Sequence, residues 1–238
     1  MTVGVAASMV TVANGALLVS NTEPTNDVLF DGIEGASIGT IINAEAAQGA
    51  RGGTFSLASS LGGPQFDISS ITLDAGSNTL AAGFTFTVSI LGGDPYGQSF
   101  TAVGAGNVNS AGFANALSGV SLIGEETFTV DAGGLSTAGA DFLTFEFTND
   151  IRVDADSDLI VFVTTDGVFN QLEGNGNVAG GNAFARLQLN TTNTNTPATS
   201  GSGSRDFRFS VAGTAVPEPS SAALLGLGGL ALILRRRK

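Results

Sequence analysis

The chain has 238 residues, 42% of them hydrophobic, with no cysteine, histidine or tryptophan and a formal net charge of −12. This composition supports a real core while excluding disulfides, cysteine-type metal sites and any Ser-His-Asp or Cys-His catalysis. Ahead of Val216 five arginines face 20 acidic residues, a net of −15, and a body so acidic repels phosphate backbones, so nucleic acid is not expected as a partner.

The first residues, Thr2 to Ser20, are uncharged and mostly small or apolar, and Ala13-Asn14-Gly15-Ala16 offers small residues where a signal peptidase could cut. A secretory signal needs a positive n-region, which is missing here. Residues 1–16 are therefore read as a clipped or atypical signal peptide, with a first strand as the alternative. Residues 17–215 are read as one β domain and 216–238 as a separate tail.

The body reads as β almost throughout. Alternating or β-rich runs occur at residues 16–20, 53–57, 68–73, 84–91, 126–130, 142–148, 159–164, 183–189 and 207–211. The run Phe84-Thr85-Phe86-Thr87-Val88-Ser89-Ile90 alternates strictly, as does Phe207-Arg208-Phe209-Ser210-Val211. Such a pattern suits antiparallel strands with one face in a core and one in water. Turn-forming clusters separate the runs at Gly62-Gly63-Pro64, Gly92-Gly93-Asp94-Pro95 and Asp166-Gly167. The only helical signals are single turns near residues 43–48 and 111–117. Eight or nine strands with long loops predict an all-β, antiparallel β-sandwich of jelly-roll type. The low-complexity segment 191–204 is taken as a long loop within the domain, because Phe207 and Phe209 beyond it alternate as in a final strand.

Several clusters carry chemistry on paper. A glycosidase needs only two carboxylates, and Glu125, Glu126, Asp141, Glu146, Asp150 and Glu173 are available. Sugar clefts are usually lined by aromatic platforms, whereas this chain has one tyrosine, and its 16 phenylalanines fall mostly at inward strand positions and read as core. Asp154-Ala155-Asp156-Ser157-Asp158 has the alternate-acid spacing of a calcium loop. An EF-hand would require Gly and Glu where Leu159 and Thr165 stand. What remains is a weak candidate calcium site at Asp154, Asp156 and Asp158, with Asp150 nearby, against the plainer reading of a solvated turn. The glycine-rich stretch 174–181 lacks a lysine and a helix opening, so it is no phosphate cradle.

The tail has three parts. Val216-Pro217-Glu218-Pro219 is stiff, because each proline fixes φ and lacks an N–H. Residues 222–234 then run without a charged side chain, and Arg235, Arg236, Arg237 and Lys238 close the sequence. The apolar run has no polar side-chain atoms to satisfy, so it is predicted as a C-terminal hydrophobic helix in lipid. By the positive-inside rule the four cations form a membrane stop and stay in the cytoplasm, leaving the body on the other side. At 1.5 Å per residue the run spans about 20–22 Å, short of the ~30 Å hydrocarbon core. A short helix broken by three glycines suits a temporary anchor better than a permanent one.

This order of parts resembles the PEP-CTERM sorting signal of exopolysaccharide-producing bacteria, on Val216, Pro217, Glu218, Pro219, the Gly/Leu-rich run and the closing basic residues. The resemblance implies recognition by an exosortase, a membrane-embedded cysteine protease-like enzyme, with cleavage near Pro-Glu-Pro. It implies a route and not an activity. From Ala16 to the Phe207 strand the body also resembles choice-of-anchor domains, which implies a β-sandwich and no site residues. The expectation is thus an exported, inner-membrane-anchored precursor, delivered to the cell surface or exopolysaccharide matrix as a non-enzymatic structural or adhesive protein. It needs no cofactor beyond the candidate calcium. The alternative is a carbohydrate-binding module or carbohydrate-active enzyme on the same sandwich.

Overall fold

Strict alternation of Phe, Val and Ile with Thr and Ser decides where the chain pairs. A computed structural model describes residues 15–33, 37–43, 50–93, 120–138, 141–174, 187–189 and 206–217. Its strands, in chain order, are β1 Ala16–Ser20, β2 Val28–Asp31, β3 Ser37–Asn43, β4 Ala50–Phe55, β5 Gln65–Asp74, β6 Thr79–Leu80, β7 Thr85–Gly92 and β8 Ser121–Thr129. They continue as β9 Leu135–Ser136, β10 Phe142–Asp154, β11 Leu159–Thr165, β12 Phe169–Gly174, β13 Leu187–Leu189, β14 Asp206–Phe207 and β15 Phe209–Val216. One 3₁₀ turn, Ser59–Leu61, is the only helical element among the described residues.

Two five-stranded antiparallel sheets carry the structure, with orders β1-β10-β5-β15-β2 and β13-β4-β11-β7-β8. A three-stranded sheet, β14-β12-β3, and the β6-β9 pair complete it. The large sheets share one core. Phe86 of β7 meets Phe145 of β10 at 5.1 Å between ring centroids, and Phe128 of β8 meets the same ring at 5.1 Å. At the other side Phe55 of β4 meets Phe209 of β15 at 5.9 Å, edge to face. Such tilted and T-shaped contacts are the favoured aromatic geometries, and each adds about 0.5–1.5 kcal/mol beyond area burial. Phe86, Phe128, Phe145, Phe207 and Phe209 are fully buried, as the inward alternation predicts.

The predicted strands sit close to the observed ones, with corrections at their ends and gaps. The strand predicted at 53–57 is β4, two or three residues earlier, and it includes Gly52. There a Cβ would run into the Val161 carbonyl oxygen, so the close approach of β11 selects glycine against its poor strand propensity. The strand predicted at 142–148 runs on to Asp154 through a register shift between Glu146 and Ile151, where an irregularity lets one strand serve β5 along its whole length. The strands β2, β3 and β12 were not expected. They are short, or carry Gly, Asn and Gln, so sequence periodicity alone did not mark them. The helical turn expected at 111–117, the loop 191–204 and the hydrophobic helix at 222–234 lie outside the described residues, as do residues 44–48 of the other expected turn. Among the described residues no helix is long and apolar enough to cross a membrane.

Candidate functional site

The junction between body and tail is built by β15, which lies between β5 and β2. Its register with β5 runs from Phe209↔Leu73 to Val216↔Gln65, with an irregularity between Ala212 and Gly213. Its pairing with β2 ends at Ala212↔Val28, and the Gly213 N–H donates to the Asp27 carbonyl at 2.9 Å. Phe209, Val211 and Ala215 point to the core, and Ala215 packs against it. Gly213 lies so close to β5 that a Cβ would meet the Asp67 carbonyl oxygen. A Cβ on Gly63 would stand 2.5 Å from the Val216 carbonyl oxygen, so the strand's last residue abuts the Gly62-Gly63 turn. Pro217 follows, exposed, and without an N–H it cannot extend the ladder. Val216, expected to open the tail, is thus also the last paired residue of the sheet. Glu218, Pro219 and the stop residues Arg235, Arg236, Arg237 and Lys238 lie outside the described residues.

The aspartates of the candidate calcium loop sit at the turn from β10 to β11 and each has its own protein partner. The Asp154 Oδ1 accepts from Gln65 Nε2 at 2.9 Å, and its carbonyl accepts from Ser157 Oγ at 2.6 Å. Asp156 takes a left-handed φ of 55°. Its Oδ1 accepts from the Ser59 N–H at 3.0 Å, and hydrogen bonding to Ser59 holds the carboxyl below its usual range. The Asp158 carbonyl accepts from the Gly93 N–H at 2.8 Å. Asp150 is exposed in the irregular part of β10. Among the described residues no three carboxylates converge in a group that could hold a metal ion.

Of the carboxylates considered for sugar hydrolysis, Glu125 and Glu126 have donors of their own. Glu126 accepts from the Gly15 N–H at 2.7 Å and from the Thr148 N–H at 2.8 Å, which ties the start of β1 and the middle of β10 to β8. Glu125 accepts from Ser89 Oγ at 3.2 Å. Glu146 is exposed opposite Ala16, and the Asp141 carbonyl accepts from the Ala75 N–H. The backbone of Glu173 pairs β12 with β3 and β14.

A different constellation is the most perturbed one. Arg208, between β14 and β15, lies on the face of its sheet opposite the phenylalanines. Its Nε is 2.5 Å from Asp74 Oδ2 at the end of β5, with both side chains buried. Glu23, Asp31 and Asp141 surround this pair closely enough to act on it or on each other. Burial pushes Glu23 up to about 7, helped by the Asp31 charge and a hydrogen bond to the Asp31 carboxyl. Asp31 Oδ1 meanwhile accepts from the Ile33 N–H at 2.9 Å. Burial also raises Asp74, against the pull of Arg208. Beside the pair, the buried hydroxyls of Thr72 and Thr144 bond at 2.8 Å. Sequence reasoning missed this cluster. The one available signal was Arg208 between Phe207 and Phe209, which fixes its face of the strand but not that the face is covered.

With this geometry in view, the comparisons with known proteins speak mainly to the tail. Residues 215–238 match the PEP-CTERM protein-sorting motif, so the chain carries that motif at its C-terminal end. The motif implies recognition by an exosortase-type processing enzyme and an exported, membrane-anchored precursor processed for display at the cell surface. No curated protein matches the chain. Solved structures similar to it include the cysteine protease and lectin-like domains of Cwp84, a surface layer associated protein of Clostridium difficile, at 11% identity and a TM-score of 0.41. That alignment covers 82% of this chain and 37% of the other. A second, of the clostridial cysteine protease Cwp84 after propeptide cleavage, has 10% identity and a TM-score of 0.43 and covers 82% and 42%. The chain therefore spans less than half the length of either.

Proposed function

We propose that the protein is a non-enzymatic, structural or adhesive component of the cell surface or exopolysaccharide matrix, released or attached there after its C-terminal tail is cut. The observation that carries this reading is the sorting motif, which continues without interruption from the last strand of a folded β body. Support for the body's role comes from its build. Among the described residues most phenylalanines that could line a ligand groove, Phe55, Phe86, Phe145 and Phe209 among them, are packed in the core instead, in what we read as a jelly-roll-type sandwich of choice-of-anchor kind. Of the carboxylates weighed for hydrolysis, Glu125 and Glu126 are bound to backbone N–H and hydroxyl groups.

Intact mass of the surface-extracted protein tests the route. Loss of the tail is expected, and mature protein that keeps residues 220–238 would sink the exosortase reading. Binding to purified polysaccharide, with and without calcium, tests the role. Saturable binding without hydrolysis supports a matrix protein, while release of reducing sugar would turn the assignment to a carbohydrate-active enzyme.

A further inference from the structure

The sorting motif and the last strand overlap. Its match begins at residue 215, whereas β15 stays in register with β5 through Ala215↔Phe66 and Val216↔Gln65. There is no spacer between the fold and the segment to be processed.

The end of β15 is held differently from its middle. From Ser210 to Ala212 it has β5 on one side and β2 on the other. At Gly213 the N–H still reaches Asp27. Thr214, Ala215 and Val216 pair with β5 alone among the described residues. Among the described residues they thus form a one-sided strand end, seated between Asp67 and the Gly62-Gly63 turn, and continuing into the exposed Pro217.

Processing enzymes take their substrates as extended chain whose backbone groups are free to pair with the enzyme. A segment already paired in a sheet has to open first, and its rate of processing follows how often it opens. We propose that residues 214–216 act as a gate on tail processing. The exosortase-type enzyme would engage the motif after these residues peel from β5, and peeling would stop at Gly213, where two-sided pairing begins. The fold then holds the junction closed except during brief openings, and the rest of β15 keeps the body intact while the tail is handled. This rests on the sorting function proposed above.

The test uses the full chain with membranes containing the processing enzyme, reading the tail-free fraction over time by intact mass. One variant inserts a five-residue Gly-Ser linker followed by a second Ala-Val pair between Val216 and Pro217, so that the strand end stays whole and an unbroken motif follows the spacer. A second pairs Thr214→Cys with Asp67→Cys, residues directly opposite in the register, to staple the strand end in a chain that has no other cysteine. A third combines the two. The linker is expected to speed processing about tenfold or more, equivalent to about 1.4 kcal/mol of strand pairing. The oxidised staple should block it, reduction should restore it, and the linker should rescue the stapled chain. Processing of the stapled chain at the parent rate would overturn the gate. If the staple does not form, as thiol titration will show, a linker variant no faster than the parent overturns it equally. Absence of processing in every chain, the parent included, would instead refute the sorting reading.

Discussion

Replacing Arg208 by methionine removes a guanidinium that lies 2.5 Å from Asp74 Oδ2, with the two side chains only 8% and 6% exposed. The methionine fills much of the volume, so the cost is chiefly electrostatic: Asp74 is left buried without its cation. Breaking a buried pair from one side costs about 3–5 kcal/mol. For a domain of this size each kcal/mol lowers Tm by about 2–4 °C, so a drop of about 6–20 °C is expected. The loss depends on pH. Desolvation already raises Asp74 and Arg208 opposes it, so without Arg208 the carboxyl rises further and takes up a proton more readily. The gap between parent and variant should therefore narrow in acid and widen as pH rises. Adding Asp74→Leu removes the orphaned charge and should recover most of the stability, because an apolar pair can replace a buried ion pair. Thermal and urea unfolding followed by circular dichroism measure the parent, both single variants and the double variant. A single variant that costs under about 1 kcal/mol would behave as an exposed pair does and refute the argument. So would a double variant whose loss is the sum of the two single losses.

Three further outcomes can be tested, two on the geometry of the body and one on the sequence of the tail. The folded chain holds the Glu23 proton up to about pH 7 and the unfolded chain releases it near the ordinary 4.5, so between these values the folded state binds more protons and stability falls as pH rises; urea midpoints across this window should flatten in Glu23→Gln. Phe86 touches Phe84, Phe145 and Phe169 at 5.0, 5.1 and 5.1 Å, and Phe86→Ala should cost about 3–5 kcal/mol in chemical unfolding. Replacing Arg235, Arg236, Arg237 and Lys238 by glutamine removes the charges expected to act as a membrane stop, and cell fractionation should then find tail-bearing chain beyond the inner membrane instead of held in it.

Where residue chemistry acts locally, the sequence was sufficient by itself. Period-two alternation placed β7 and β15 because the strand pleat separates neighbouring side chains onto opposite faces, and it marked Phe86, Phe128 and Phe209 as core. The tail was legible too, since Pro217, an uncharged run and four terminal cations have the same consequences in any fold. What pairs across 50 or more positions was not legible. Periodicity says that Arg208 faces away from Phe207 and Phe209, but only the sheet order brings Asp74, Asp31 and Glu23 around it and covers that face. Glycine at 52 and 213 fell outside the expected strands 53–57 and 207–211, and the structure shows both inside strands, where another backbone passes too closely for a Cβ. The boundary between body and tail was drawn at a composition change before Val216. The tertiary structure carries β15 through that residue, because hydrogen bonding to β5 continues until a proline removes the next donor.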